Sequence, residues 1–304
     1  MHHPMKLVQC VPNFSDGRND EVIETIVDRV REYDVTILDV SPDADHNRTD
    51  VTFIGKPQET RDAAMALAVE AVEQIDMREH EGEHPRMGAI DVVPFIPLMD
   101  ATMEDCVALA EEFAEEFAER TDVPTYLYEE AARRPERENL PTIREGEFEG
   151  LQETIGSDPE REPDFGPNHI HETAGATAVG ARFFLVAFNV NLDTDDLDVA
   201  QDIATSVRNS SGGYRHVKAM GFDIEERGIV QVSMNMTDYR LSPLFRVYET
   251  IKDEAARYGV SVIGSELVGL VPLEALLGVT EHYLRLEDFD REQVLEHRLL
   301  EEYT

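Results

Sequence analysis

The sequence predicts an α+β protein built from two α/β subdomains, and three observations carry that expectation. Apolar residues along the 304-residue chain recur in blocks of period 2 and blocks of period 3.6, the signatures of strands and amphipathic helices. Read in order, those blocks run strand, helix, strand, strand, helix, strand, and the whole order occurs twice. Between the two occurrences lies a charged, proline-spotted stretch from Arg133 to about Asn168 that shows neither period. Two successive split βαβ units predict a duplicated ferredoxin-like architecture, each sheet covered on one face by two helices. A boundary near Gly180 divides the chain into 1–180 and 181–304. A single doubly wound sheet is the alternative, and the paired strands before each second helix count against it.

The elements follow in chain order. Lys6–Val11 is a short apolar run, and Glu21–Arg31 gathers Val22, Ile23, Ile26, Val27 and Val30 on one helical face. Val35–Val40 and Asp50–Ile54 read as strands, Thr60–Ile75 as an alanine-rich helix, and Ala89–Leu98 as a strand. Thr102 opens a further helix, with Asp105 three residues on completing a capping box, and Thr125–Tyr128 is a strand. In the second half Ala181–Val190 is a strand, Leu197–Val207 a helix, His216–Ile224 and Ile229–Met236 strands, Leu244–Tyr258 a helix and Val260–Ile263 a strand.

Composition narrows the function classes. The 41% hydrophobic content can fill a sizeable core, so the acidity belongs to a folded surface and not to a disordered tail. Acidic residues number 64 against 27 basic, a formal charge of −37 spread between the apolar segments. That balance argues against nucleic acid and anionic membranes as partners. Only four of the 27 basic residues are lysines, Lys6, Lys56, Lys218 and Lys252. Lysine depletion beside excess carboxylate fits a protein of concentrated salt, where the screening length shrinks to about 3 Å at 1 M. The two cysteines, Cys10 and Cys106, form no metal-binding spacing and point to a reducing cytoplasm. No signal-peptide core and no apolar run of membrane-spanning length is visible.

Few short motifs carry chemistry. In Gly82-Glu83-His84-Pro85-Arg86-Met87-Gly88, proline biases His84 toward an extended backbone, and the imidazole stands at the mouth of a hydrophobic strand. A histidine there can move protons near neutrality; the bland alternative is a turn histidine bonded to a carbonyl. Gly175–Arg182 mimics the start of a phosphate loop but has Ala181-Arg182 in place of Lys-Ser/Thr. Asp43, Asp45 and Asn47 have a calcium-loop rhythm, yet Arg48 stands where glycine is needed and Ile54 where the bidentate acid belongs. His169 and His171 alternate on one face of an extended segment, but no second pair accompanies them, and no metal is expected. Glu266 reads equally as a structural cap and as a ligand contact.

The His84 run resembles the catalytic segment of the glutamate formiminotransferase family. Four more blocks match it, namely Val8–Gly17, Asp45–Thr49 with Thr52–Gly55, Pro163–Pro167 with Ala174–Thr177, and Gly264–Pro272. Together they span residues 8 to 272. The resemblance implies two α/β subdomains with a ligand cleft between them. It also implies transfer of the formimino group of N-formimino-L-glutamate to N5 of tetrahydrofolate, the cosubstrate, by a cytoplasmic homodimer whose partners are small molecules.

On that resemblance His84 is the catalytic residue, taking the N5 proton and returning it to the departing glutamate nitrogen, a role typically worth about 10²–10⁴-fold. Gly166, Pro167, Asn168, His169, Ile170, His171, Glu172, Thr173, Ala174 and Gly175 carry over as the lining of the folate site. Arg48, Arg86, Asn47 and Lys218 carry over as substrate-binding. In so acidic a chain, planar guanidinium groups aimed at the substrate carboxylates would offset repulsion of an anion. Two departures stand out: Ala174 replaces an aromatic residue of animal relatives, and Ser41 stands where many relatives carry an acid, a place Asp39, Asp43 or Asp45 would have to fill. The length leaves no room for the cyclodeaminase domain of the bifunctional animal enzyme. The alternatives are 5-formyltetrahydrofolate cycloligase activity, which would need ATP, and a non-catalytic folate-binding protein.

Overall fold

Alternating apolar positions place Val8 and Cys10 inward on the first strand, and the chain builds a layered α/β unit around them. In a computed structural model that describes residues 6–82 and 85–303, the chain divides into two compact units, Met1–Phe183 and Phe184–Thr304. The first runs β1 (Leu7–Cys10), β2 (Asn13–Phe14), α1 (Asp20–Arg31), β3 (Val35–Asp43), β4 (Arg48–Gly55), α2 (Pro57–Gln74), β5 (Ile90–Leu98), α3 (Met103–Thr121), β6 (Thr125–Glu129), α4 (Leu140–Ile143), α5 (Glu147–Thr154) and β7 (Thr177–Ala181). The second runs β8 (Val186–Leu192), α6 (Leu197–Val207), β9 (Val217–Ile224), β10 (Ile229–Met236), α7 (Leu244–Arg257), β11 (Val262–Val268), α8 (Leu273–Leu284) and α9 (Leu295–Tyr303).

Local signals set most helix starts. Asn19 accepts hydrogen bonds from the backbone N–H groups of Glu21 and Val22 at the head of α1, and Pro57 opens α2. Thr102 and Asp105 form the expected capping box on α3. Helices α1, α2 and α3 bury Ile26, Val27, Leu67, Ala68, Phe113 and Phe117 against Val8, Phe53, Val93 and Phe95 of the sheet.

The first sheet has seven strands. β1 and β2 are successive stretches of one path, interrupted at Val11-Pro12, and both lie antiparallel between β4 and β5. β3 pairs antiparallel with the outer side of β4. On the far side β5 pairs with β7, and β7 with β6, both parallel. Strands β5, β6 and β7 are buried almost throughout, as parallel strands covered on both faces are. Their second face carries Val92, Tyr126, Tyr128 and Ala178, packed on Ile143 of α4 and Leu151 of α5.

The second sheet is wholly antiparallel, in the order β11-β8-β10-β9. Its core joins Val190, Leu192, Val230 and Val232 to Ile203 of α6 and Val247 and Ile251 of α7.

Four expectations need correction. The strand expected over 181–190 is two strands in different sheets, because Phe183, Phe184 and Leu185 keep the sequence apolar across the passage. The first sheet is covered by three helices on one face rather than two. The stretch 133–168, read as irregular, contains α4 and α5, each too short to show a helical period. Finally β11 extends to Val268: an edge strand paired only with β8, it is largely exposed and shows no apolar alternation.

Candidate active site

Three loops of the first unit meet at the ends of β2, β4 and β5. The turn between β3 and β4 closes on Asn47, whose φ of 49° puts it in the left-handed region that asparagine tolerates. Its Oδ1 accepts from the Gly17 N–H at 3.0 Å and its Nδ2 donates to the Glu81 carbonyl at 2.9 Å, so one side chain ties the turn to both other loops. Gly17 is required there, since a Cβ would come within 2.1 Å of the Asp43 carbonyl oxygen. Ser15 joins the first loop to the third, its backbone N–H donating to the Ala89 carbonyl and its hydroxyl to the Gly88 carbonyl at 2.8 Å.

A shallow pocket lies between these loops, lined by Asn13, Phe14, Ser15, His46, Asn47, Arg48, His80, Arg86 and Asp91. Arg48 is half-buried; its Nη2 donates to Asn13 Oδ1 and to both oxygens of Asp50, at 2.7 and 3.0 Å. Asp91 is buried, accepts from the Met87 N–H at 2.9 Å and forms an ion pair with Arg144, which offsets the cost of a carboxylate in an apolar strand. His80 uses both ring nitrogens: Nε2 donates to the Asn47 carbonyl at 2.9 Å and Nδ1 accepts from Arg86 Nε at 3.2 Å. Burial lowers its pKa, and the neighbouring Arg86 guanidinium adds to the effect, which keeps the ring neutral.

The segment 171–176 packs directly onto the histidine-bearing loop. Gly88 and Gly175 form an antiparallel bridge, and a Cβ on Gly175 would meet the Met87 carbonyl oxygen at 2.2 Å. Ala89 N–H donates to Ala174 carbonyl and Ala176 N–H to Met87 carbonyl, both at 2.9 Å. Two regions far apart in sequence are thereby brought together.

Comparison with known proteins identifies the chain. A model described as "Formiminotransferase domain, N-terminal subdomain" matches residues 7–182, and one described as "Formiminotransferase domain" matches residues 187–299. The chain belongs to the formiminotransferase family. It is 51% identical to a glutamate formimidoyltransferase of Streptococcus pyogenes serotype M1 over 297 residues, covering 97% of this chain and 99% of that protein. A glutamate formimidoyltransferase of Thermoplasma acidophilum is 46% identical over 97% of this chain and 98% of its own length. The formimidoyltransferase-cyclodeaminase of Rattus norvegicus is 43% identical, and the match takes in 55% of that longer protein.

Among the residues singled out in this formiminotransferase sequence, Asn47, Arg48 and Arg86 share the pocket wall, and His84 lies outside the described residues. Lys218 stands half-buried on β9 of the second unit, opposite Asn235. Within 166–175, Gly166, Asn168, His169 and Glu172 are exposed, while Pro167, His171 and Thr173 are half-buried. Ile170 packs partly into the core. The Ala174 methyl is fully buried in the core and Gly175 is packed against Met87, so these two hold the segment in place. His171 Nδ1 accepts from the Ala174 N–H at 3.0 Å, a turn bond rather than a ligand's lone pair. Glu172 pairs with Arg78 at 2.8 Å. Among the described residues no cluster of three potential metal-ligating side chains occurs, and no helix is long and apolar enough to cross a membrane.

Around Ser41, Asp39 accepts from the Ser41 hydroxyl at 2.7 Å. Burial would raise the Asp43 pKa, but hydrogen bonds from the backbone and ring of His46 hold it below the ordinary carboxylate range. Sequence reading missed His80, Asp91 and Ser15. Asp91 had a signal, a lone carboxylate inside Ala89-Ile90-Asp91-Val92-Val93, because a charge within a buried strand must find a partner. Glu266, left open between cap and ligand contact, joins a polar network in the second unit, accepting from Asn191 at 2.9 Å, Gln231 at 3.3 Å and Arg227 at 3.3 Å.

Proposed function

We propose that this protein is a glutamate formimidoyltransferase, moving the formimino group of N-formimino-L-glutamate to N5 of tetrahydrofolate and releasing L-glutamate. The observation that carries this reading is 51% identity to a glutamate formimidoyltransferase across 97% of the chain. Membership of the family supports tetrahydrofolate as the cosubstrate. The pocket supports it chemically: Arg48 and Asn47 bring a guanidinium and an amide to its wall, groups of the kind that hydrogen-bond a carboxylate.

In this assignment His84 moves the proton, accepting it as N5 attacks the formimino carbon and delivering it to the departing amino nitrogen, without which glutamate cannot leave. Arg48 binds a substrate carboxylate, and Lys218 is a further contact for the anionic substrates. The exposed and half-buried members of 166–175, from Gly166 to Thr173, line the folate. We also infer that both units are ferredoxin-like. The orders β3-β4-β1-β5 and β11-β8-β10-β9, each within a βαββαβ run, support this. The free, buried Cys10 and Cys106 fit a reducing cytoplasm.

The test is direct. Purified protein with tetrahydrofolate and formiminoglutamate in high salt should form 5-formiminotetrahydrofolate, seen as the methenyl compound after acid treatment. Product from 5-formyltetrahydrofolate and ATP, with none from formiminoglutamate, would overturn the assignment. For Arg48→Ala, the loss of a charge-assisted bond should weaken donor binding by about 1.5–3 kcal/mol, read in KM.

A further inference from the structure

Arg86 stands on the pocket wall, and its own N–H groups are already engaged. A guanidinium has five such donors. Nε donates to His80 Nδ1 at 3.2 Å; Nη1 donates to Glu147 Oε2 at 2.6 Å and Glu149 Oε2 at 3.0 Å; Nη2 donates to Glu149 Oε1 at 2.8 Å and the His80 carbonyl at 3.5 Å. Glu149 therefore grips the guanidinium with both oxygens, in the planar fork geometry a substrate carboxylate would use. The arginine side chain is only 12% exposed, whereas that of Glu149 is 63% exposed.

The surroundings are built to hold this arrangement. The Arg86 carbonyl accepts from the Phe148 N–H at 3.0 Å, so backbone and side chain both bind the start of α5. That start is strained, with Gly146 at φ 82° and Glu147 at φ 57°, two successive left-handed residues of which one has a side chain. Strain of this kind persists where the surrounding contacts over-determine it. On its other side Arg86 holds His80, which holds the Asn47 carbonyl at the β3–β4 turn. A chain of bonds thus crosses the pocket wall from the turn through His80 and Arg86 to α5.

We propose that Arg86 is a positioning residue, splinted between His80 and the carboxylates of Glu147 and Glu149, and that this splint fixes the backbone of the histidine-bearing loop. His84 is two residues away along the chain, and consecutive Cα atoms are 3.8 Å apart, so anchoring Arg86 limits where that backbone can go. The effect on turnover rests on the reading that His84 moves the proton. A displacement of about 1 Å in a reacting group costs up to roughly 10²-fold, and this loss falls on kcat.

Kinetics of the full-length protein with tetrahydrofolate and formiminoglutamate separate the roles. In Arg86→Ala, splinting predicts a kcat lower by about 10- to 10²-fold, with KM for formiminoglutamate within about twofold of wild type. A KM rise of tenfold or more at unchanged kcat would show a carboxylate anchor and overturn the proposal. Glu149→Gln, a change at an exposed side chain, decides by sign. If Glu149 competes with substrate for Arg86, KM falls; if it splints Arg86, kcat falls. The double variant should lose no more than Arg86→Ala alone, and full additivity would sink the coupling. Histidine-selective ¹⁵N spectra read the splint without activity, so they also serve if the wild type fails to turn over. His80 should be the Nε2–H tautomer in wild type and lose that preference in Glu149→Gln and Arg86→Ala. A protonated Nδ1 in wild type overturns the proposal.

Discussion

The two units begin from the same βαββαβ run and part company after its sixth element. In the second unit the run closes the sheet, and β11 remains an edge strand. In the first, α3, β6 and β7 continue it, so β5 becomes an interior strand with a parallel neighbour. The chain between β6 and β7 must then cover the second face of the new strands. It does so with α4 and α5, secured by a buried Arg137–Asp164 pair at 2.6 Å and by the Arg137 guanidinium 5.1 Å above the Tyr126 ring. This covering segment brings Glu147 and Glu149 to Arg86 in the loop before β5, and Arg144 to Asp91 on β5 itself. Among the described residues the second unit has no counterpart to it, and its polar network, Asn191–Gln231–Glu266, is tied by hydrogen bonds within one sheet. An extension that covers an exposed sheet face also braces the pocket wall, through its contacts to Arg86 and Asp91.

If the proton chemistry belongs to the first unit, His84→Ala should lower turnover by about 10²–10⁴-fold while leaving folate binding and the melting temperature nearly unchanged. Weaker binding at unchanged turnover would remove His84 from that role. Next in size come two glycine substitutions, one in each unit. Gly175→Ala places a methyl 2.2 Å from the Met87 carbonyl oxygen at a φ of 73°, and Gly221→Ala places one 2.6 Å from the Gln201 nitrogen of α6. Each should cost about 1–3 kcal/mol. Only Gly175→Ala should lower kcat of the folded protein by tenfold or more, because only it displaces the histidine-bearing loop. Equal kinetic damage from both would erase the contrast between the units.

A smaller effect concerns pH. Burial depresses the pKa of His80 in the fold, while the unfolded chain titrates near 6.5. The unfolded state therefore binds the extra proton first, and the stability of the neutral ring is full above about pH 6.5 and lost as pH falls toward the folded pKa. Melting temperatures at pH 7.5 and 5.5 should fall further for wild type than for His80→Gln, which does not titrate. An equal drop in both would detach His80 from the acid response. The smallest effect is shared by both units. With a formal charge of −37 and a screening length of about 10 Å at 0.1 M, raising potassium chloride from 0.1 to 2 M should lift the melting temperature by a few degrees. A flat or falling curve would show that the acidity is no adaptation to salt.

Elements with a strong period or a cap were legible from the chain alone. Leu197–Val207 and Ile229–Met236 were expected with the ends they have, and Thr102 with Asp105 marked the start of α3. The passage from β7 to β8 was not, because Phe183 to Val186 stays apolar while the chain leaves one core for another. Asn47, Arg48 and Arg86 could be named as pocket residues, yet nothing in their spacing showed that Arg86 would be met by Glu147 and Glu149.

Local order, capping, charge and the family likeness are properties of neighbouring residues or of the chain as a string, and sequence by itself determined them. The burial of Ala174, the fully bonded ring of His80 and the pairing of Asp91 with Arg144 were decided only in the tertiary structure. Each depends on a partner up to 85 or so residues away, brought close by strand pairing and by the cover of a sheet face. A side chain's type states what it can bond. Which bond it makes depends on what the fold sets beside it.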